Sequence, residues 1–111
     1  MRIVGFKEFM SLPEGTVFAK YSPCVFDDTC IKMGNCGEHD FFYSDLSTGF
    51  ETCSTDHMFD LAEEMEADPN FTSPLCFSSQ MRDGLFDEEQ LFAVWSKSDI
   101  TTMIARLAEC L

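Results

Sequence analysis

Lysine and arginine are missing from a long central stretch of this 111-residue chain, residues 33–81. The same stretch carries ten carboxylates: Glu38, Asp40, Asp45, Glu51, Asp56, Asp60, Glu63, Glu64, Glu66 and Asp68. Ten of the 13 net negative charges therefore lie in one uninterrupted segment. Charge of one sign that is concentrated in this way attracts basic macromolecules and repels polyanions. We therefore expect a basic protein as the partner, and neither nucleic acid nor an anionic membrane as a direct ligand.

Long apolar runs and a secretory leader are missing as well. No run approaches the roughly 18 apolar residues that indicate a membrane-spanning helix. The first five residues, MRIVG, lack the apolar core and cleavage site of a signal peptide. We therefore expect a cytoplasmic protein. In that reducing compartment the six cysteines are thiols by default, despite their even number.

The composition is rich in the residues that build a core. Hydrophobic residues make up 45% of the chain, and twelve residues are phenylalanine. Disordered acidic chains contain few aromatic residues, so this composition predicts a folded globule. Its length predicts one domain that spans residues 1–111.

Short β-branched and aromatic runs alternate with turn signals and predict an antiparallel meander. The predicted strands are 16–21, 29–33, 40–46 and 91–95. Periodic apolar positions predict helices over 6–12 and about 54–67. Ser98 and Asp99 are expected to cap a last helix, and residues 71–87 read as a loop. The fold class that follows is α+β: a small antiparallel sheet of about four strands with two or three helices packed on one face.

The expected core draws apolar residues from each of these elements. It comprises Phe9, Leu12, Val17, Phe18, Phe42, Leu61, Met65, Phe92, Val94, Ile100, Ile104 and Leu107. The last helix has the cleanest apolar period of the chain and a mildly charged opposite side. We therefore interpret it as scaffold.

The helix predicted over 54–67 differs, because acids cover the side opposite its apolar stripe. The stripe is formed by Met58, Leu61, Ala62 and Met65, and Phe59 flanks it. Acids at helical spacing repel each other by a few tenths of a kcal/mol per pair when no base intervenes. The sequence keeps these acids although no lysine or arginine in the helix offsets their repulsion, which indicates a role for the acidic surface.

Three cysteines and a histidine that are close in sequence form a candidate metal site: Cys24, Cys30, Cys36 and His39. Zinc binds such ligands tetrahedrally, but structural sites usually pair them at two- to four-residue spacing, which only the last pair shows. In a thiol-dependent enzyme, His39 or His57 would activate a cysteine, yet acidic surroundings raise the pKa of a thiol. Calcium loops, phosphate loops and hydrolase signatures are also missing. We expect no cofactor and no enzyme activity.

Two segments resemble small acidic accessory proteins of tailed phages and prophages. They are residues 8–21, EFMSLPEGTVFAKY, and residues 82–95, RDGLFDEEQLFAVW. Phage-encoded proteins of this size and acidity include anti-restriction and anti-CRISPR inhibitors that imitate DNA. The resembled group has no assigned function, so an inhibitor of bacterial defence in the host cytoplasm is expected by analogy of class and not from matching residues. The resemblance implies no individual functional residue.

The leading interpretation is a non-enzymatic interaction protein of phage type whose acidic face blocks the nucleic-acid site of a basic host or defence protein. The residues expected to contact this partner are Asp40, Asp45, Asp56, Asp60, Glu63, Glu64, Glu66 and Asp68. Two alternatives remain open. One is a metal-binding or thiol-dependent protein built on the cysteine and histidine cluster, and the other is a small homo-oligomeric regulatory protein with an apolar interface.

Overall fold

A computed structural model describes residues 1–47, 55–76 and 79–111 of the chain. Within these residues the chain forms a seven-stranded antiparallel sheet and three helices, which confirms the predicted α+β class. The strands are β1 (Arg2–Val4), β2 (Val17–Ser22), β3 (Val25–Phe26), β4 (Cys30–Asn35), β5 (Phe41–Asp45), β6 (Met81–Arg82) and β7 (Leu91–Val94). The helices are α1 (Phe6–Ser11), α2 (Thr55–Ala67) and α3 (Lys97–Ala108).

The strand order across the sheet is β1-β7-β2-β4-β5-β6, and the two-residue strand β3 pairs with the end of β2. Strand β7 thus lies between β1 and β2, where Phe92 is opposite Val4 on one side and Lys20 on the other. Phe92, Ala93 and Val94 are all buried. This agrees with the nearly continuous apolar run at 91–95, which predicts a central strand.

The core lies between α1 and one face of the sheet. The ring of Phe9 stacks on Phe92 with 3.9 Å between the centroids, and it meets Phe18 and Phe41 edge-on at 4.8 and 5.0 Å. All four side chains are at most 1% exposed. A helix of six residues is too short to be stable by itself. Helix α1 is therefore held in place by these aromatic contacts.

Lys32 is buried in this core and stabilises the end of α1. Its ammonium group donates hydrogen bonds to the carbonyl oxygens of Phe9 and Met10, at 3.0 and 3.2 Å, and to that of Leu12. Burial lowers the pKa of this lysine. The last carbonyls of a helix have no partner within the helix, so the lysine satisfies them and balances the negative helix end.

The secondary structure departs from the prediction at its shortest elements and at the start of the last helix. Strands β1, β3 and β6 contain two or three residues each, too few to show an alternating pattern in the sequence. Helix α3 is capped by Ser96 rather than Ser98. The Ser96 hydroxyl accepts a hydrogen bond from the backbone of Asp99, whose carboxylate accepts one from the Ser96 backbone. Helix α2 begins at Thr55, and the expected Ser54 start lies outside the described residues.

The two long helices contribute less to the core than predicted. Leu61 and Ile100 are half-buried, whereas Met65, Ile104 and Leu107 are exposed. The prediction of Met65, Ile104 and Leu107 as core is therefore wrong. The physical reason is that an apolar period shows which side of a helix is apolar, but not which surface covers that side.

Candidate functional site

The acids of α2 lie on the side of the helix that faces away from its half-buried residues. Met58, Leu61 and Ala62 are half-buried and mark the inner side. At about 100° per residue, five acids share the other side within an arc of about 160°. All five are exposed: Asp56, Asp60, Glu63, Glu64 and Glu66. We call these five residues the α2 acidic face.

The charge density of the α2 acidic face is close to that of a nucleic-acid strand. From residue 56 to residue 66 the helix axis rises about 15 Å, at about 1.5 Å per residue. Five charges over this length give one charge per about 3 Å, compared with one per about 3.4 Å along one DNA strand. The face therefore presents negative charge at a spacing that a phosphate-binding surface can accept.

Among the described residues, no lysine or arginine forms an ion pair with the α2 acidic face. The side-chain ion pairs join Arg2 to Glu8, Lys20 to Asp83, Arg82 to Asp40 and His39 to Glu88. Lys32 is occupied by the carbonyls at the end of α1. Lys32 and Arg82, the bases at the two ends of the base-free stretch, thus act within the fold, and in the described ranges no lysine or arginine neutralises the acids of α2.

Phe59 lies within the acidic side of α2, which sequence reasoning missed by placing it at the edge of the apolar stripe. It follows Asp56 by three residues and precedes Glu63 by four, so two of its neighbours on the helix surface are acids, and half-buried Ala62 is another. Its side chain is 58% exposed. Aromatic residues, phenylalanine among them, are enriched in the cores of protein interfaces. The sequence contains the information needed to place Phe59, because at about 100° per residue it lies about 160° around the helix from Leu61.

The other three residues predicted to contact the partner, Asp40, Asp45 and Asp68, do not belong to the α2 acidic face. Asp40 is 1% exposed, so its predicted role in a surface contact is wrong. Its Oδ1 accepts hydrogen bonds from the backbone of Phe41 and Gly84, at 2.9 and 2.8 Å, and its Oδ2 lies 3.0 Å from Nε of Arg82. Asp40 thereby joins β5 to the segment after β6, and its position in the chain alone could not reveal this.

Asp45 and Asp68 are closer to the surface. Asp45 is half-buried at the end of β5, beside Cys30. Asp68 is exposed just beyond α2 and accepts a hydrogen bond from the backbone of Asn70 at 2.9 Å, which forms a turn after the helix. Asp68 therefore extends the acidic surface beyond the last turn of α2, whereas Asp45 belongs to a different place in the fold.

A cleft of about 450 Å³ is lined by residues of strands β2 to β5 and of the segment between β3 and β4. Its lining includes Lys20, Cys30, Tyr43 and Asp45. The Cys30 thiol donates to Oδ1 of Asp45 at 3.5 Å, and burial together with this carboxylate raises its pKa to about 12. Burial also raises the pKa of Tyr43. A thiol with such a pKa stays protonated near pH 7 and is a poor nucleophile. The cleft therefore lacks the activated thiol that the thiol-dependent alternative requires.

The four residues of the candidate metal site are not brought together. Cys24 is exposed in the turn between β2 and β3, and Cys30 is buried on the core face. His39 faces Glu88, with 2.9 Å between Nδ1 and Oε1. In the described part of the chain, no group of three or more cysteine, histidine or acidic side chains could hold a metal ion.

The chain was compared with protein-family models, curated proteins and solved structures. The chain matches no protein-family model, no curated protein and no solved structure. The helices in the described ranges are also too short or too polar to cross a membrane.

Proposed function

We propose that this chain is a non-enzymatic interaction protein whose α2 acidic face occupies the nucleic-acid-binding surface of a basic protein. The observation that carries the proposal is a helix with five exposed carboxylates, none of them paired with a described base. Exposed charges without partners cost the fold free energy and contribute nothing to its packing. A surface that binds phosphates would offset this cost, since its lysines and arginines would pair with the acids.

The most specific form of the proposal is a DNA-mimicking inhibitor of phage type. Its target would be a basic host or defence protein in the host cytoplasm, such as a restriction or CRISPR complex. The linear charge density of α2 supports this form, because it is close to that of one DNA strand. The phage origin rests on the resemblance of residues 8–21 and 82–95 to phage accessory proteins.

Capture of a partner at two salt concentrations tests the proposal. Tagged protein is incubated with host lysate at about 50 and 200 mM salt, and bound proteins are identified by mass spectrometry. We expect a basic, nucleic-acid-binding partner whose affinity falls at least about tenfold between these salts. Excess duplex DNA should release it, because both ligands would occupy the same surface.

Charge reversal on α2 locates the contact. Glu63→Lys combined with Glu64→Lys should weaken binding about 100-fold at low salt, because it replaces attraction with repulsion. Asp27→Lys combined with Asp28→Lys is the matched control, since it reverses two adjacent exposed acids that lie outside α2 and form no ion pair among the described residues. Its effect should be at least tenfold smaller. Binding that is equal at both salts, or that survives the α2 double reversal, would contradict the proposal.

A further inference from the structure

The cleft of about 450 Å³ is large enough for a small organic molecule and plays no part in the proposed function. Clefts that bind such molecules have volumes of about 300 to 1,000 Å³, and they combine apolar walls with a few well-placed polar groups. The walls of this cleft include the rings of Phe26 and Tyr43, and its polar groups include the carboxylates of Asp27, Asp28 and Asp45. Both requirements of a ligand site are therefore present.

The backbone holds these groups around the cleft before any ligand binds. Cys30 on β4 is paired with Asp45 on β5, so two neighbouring strands place a thiol and a carboxylate side by side. The backbone of Asp27 donates a hydrogen bond of 2.9 Å to the carbonyl oxygen of Lys20, which ties the segment after β3 to β2. A ligand would thus enter a preformed site, which lowers the entropic cost of binding.

The charge of the cleft is negative. Lys20 also lines it, but this lysine is ion-paired with Asp83. The three carboxylates of the lining form no ion pair in the described part of the chain. Their field reaches the thiol inside the cleft: burial, and then the charges of Asp45 and Asp28, raise the pKa of Cys30 to about 12. The cleft therefore repels anions and favours a cation.

The arrangement of the acids favours an organic cation over a metal ion. In the described ranges, no three cysteine, histidine or acidic side chains converge on a point where they could hold a metal. Ammonium groups spaced along an alkyl chain can instead pair with the carboxylates one at a time. A neutral ligand would cover the half-buried carboxylate of Asp45 without offering it a charge, which is unfavourable.

The aromatic walls suit the rest of such a molecule. Methylene groups can lie against the rings of Phe26 and Tyr43, and the face of an aromatic ring also attracts an ammonium group. We propose that the cleft binds a linear aliphatic diamine or polyamine, with Asp45 paired to one ammonium group and Phe26 packed against the alkyl chain.

Isothermal titration calorimetry of the whole chain with putrescine, a linear diamine, tests the inference. At about 50 mM salt we expect one site per chain, with an affinity at least about tenfold higher than that for butylamine, which carries a single ammonium group. Butanediol, which has the same chain length without charge, should not bind. Equal affinity for putrescine and butylamine would overturn the inference, and so would a lack of putrescine binding up to about 10 mM.

Neutralisation of one acid separates the cleft from the general attraction of an acidic protein for amines. Asp45→Asn should weaken putrescine binding at least about tenfold, because it removes one charge-assisted pair and keeps the size of the side chain. Asp87→Asn is the matched control, since Asp87 is exposed, lies outside the cleft and accepts a backbone hydrogen bond that asparagine can also accept. This variant should bind within about twofold of the wild type. Equal losses in the two variants would contradict the inference.

A second pair of variants tests the apolar wall without touching a charge. Phe26→Ala should weaken putrescine binding about threefold to tenfold, and Phe26 is 50% exposed, so the fold should be kept. Phe86→Ala is the matched control, because Phe86 is 55% exposed and lies outside the cleft. Circular dichroism of both variants should be that of the wild type. A Phe26→Ala variant that folds and binds putrescine as tightly as the wild type would remove the aromatic wall from the site.

The outcome is independent of the proposed function. Asp45→Asn leaves the α2 acidic face intact and should keep the binding of a basic partner. The double reversal of Glu63 and Glu64 leaves the lining of the cleft intact, so it should keep putrescine binding within about threefold. Failure of one proposal therefore leaves the other untouched.

Discussion

Asp40 and Glu63 are both carboxylates of the base-free stretch, yet they have opposite relations to the fold. Asp40 is buried, accepts two backbone hydrogen bonds and faces Arg82. Glu63 is exposed on α2 and is paired with no base among the described residues. The difference shows that the net charge of a segment does not tell which of its acids are available to a partner. Burial and hydrogen bonding distinguish structural acids, which stabilise the fold, from displayed acids, which are exposed and free to contact a partner.

The strongest test of this contrast is to truncate each of the two acids. Asp40→Ala should lower the free energy of unfolding by about 3 kcal/mol, because it leaves backbone donors of Phe41 and Gly84 without their acceptor and removes the partner of Arg82. Glu63→Ala should change it by less than about 0.5 kcal/mol. Urea denaturation followed by circular dichroism measures both. Equal stability of the two variants would contradict the division into structural and displayed acids.

The same contrast between a structural and an exposed charge applies to two lysines, Lys32 and Lys7. Lys32→Met should destabilise the protein by about 2 kcal/mol, because three carbonyl oxygens at the end of α1 lose their donor in a buried setting. Lys7→Met is the matched control, since Lys7 is an exposed lysine of α1 itself. Its stability should stay within about 0.5 kcal/mol of the wild type. Neither change should affect the proposed partner binding, because neither residue lies on α2.

A smaller effect is expected from the aromatic residue inside the acidic side of α2. Phe59→Ala should weaken the complex with the basic partner about tenfold, and the loss should persist at high salt because an apolar contact is not screened. Leu75→Ala is a suitable control, since Leu75 is also 58% exposed but lies outside α2. Titration of the partner at two salt concentrations separates the apolar contribution to binding, which salt does not screen, from the electrostatic contribution, which salt weakens. A loss that disappears at high salt would show that Phe59 acts only through neighbouring charges.

The elements with a long and regular pattern were predictable, and the contacts between elements were not. Strands β2, β4, β5 and β7 have the β-branched and aromatic composition of half-buried pleated surface, and the structure confirms them within a few residues. The acidic and apolar sides of α2 follow from the helical period alone. The burial of Lys32 and Asp40 could not be predicted, because it depends on bringing β4 beside α1 and β5 beside β6.

The sequence by itself determined the α+β class and the place of the charge along the chain. It also determined which side of each long helix is apolar, because propensity and period act over neighbouring residues. Only the tertiary structure decided that Lys32 and Asp40 serve the core, that Phe59 lies open among acids, and that the stripe of α3 is uncovered. The physical reason is that solvent exposure and hydrogen-bond partners are set by residues far apart in the chain, which sequence spacing does not encode.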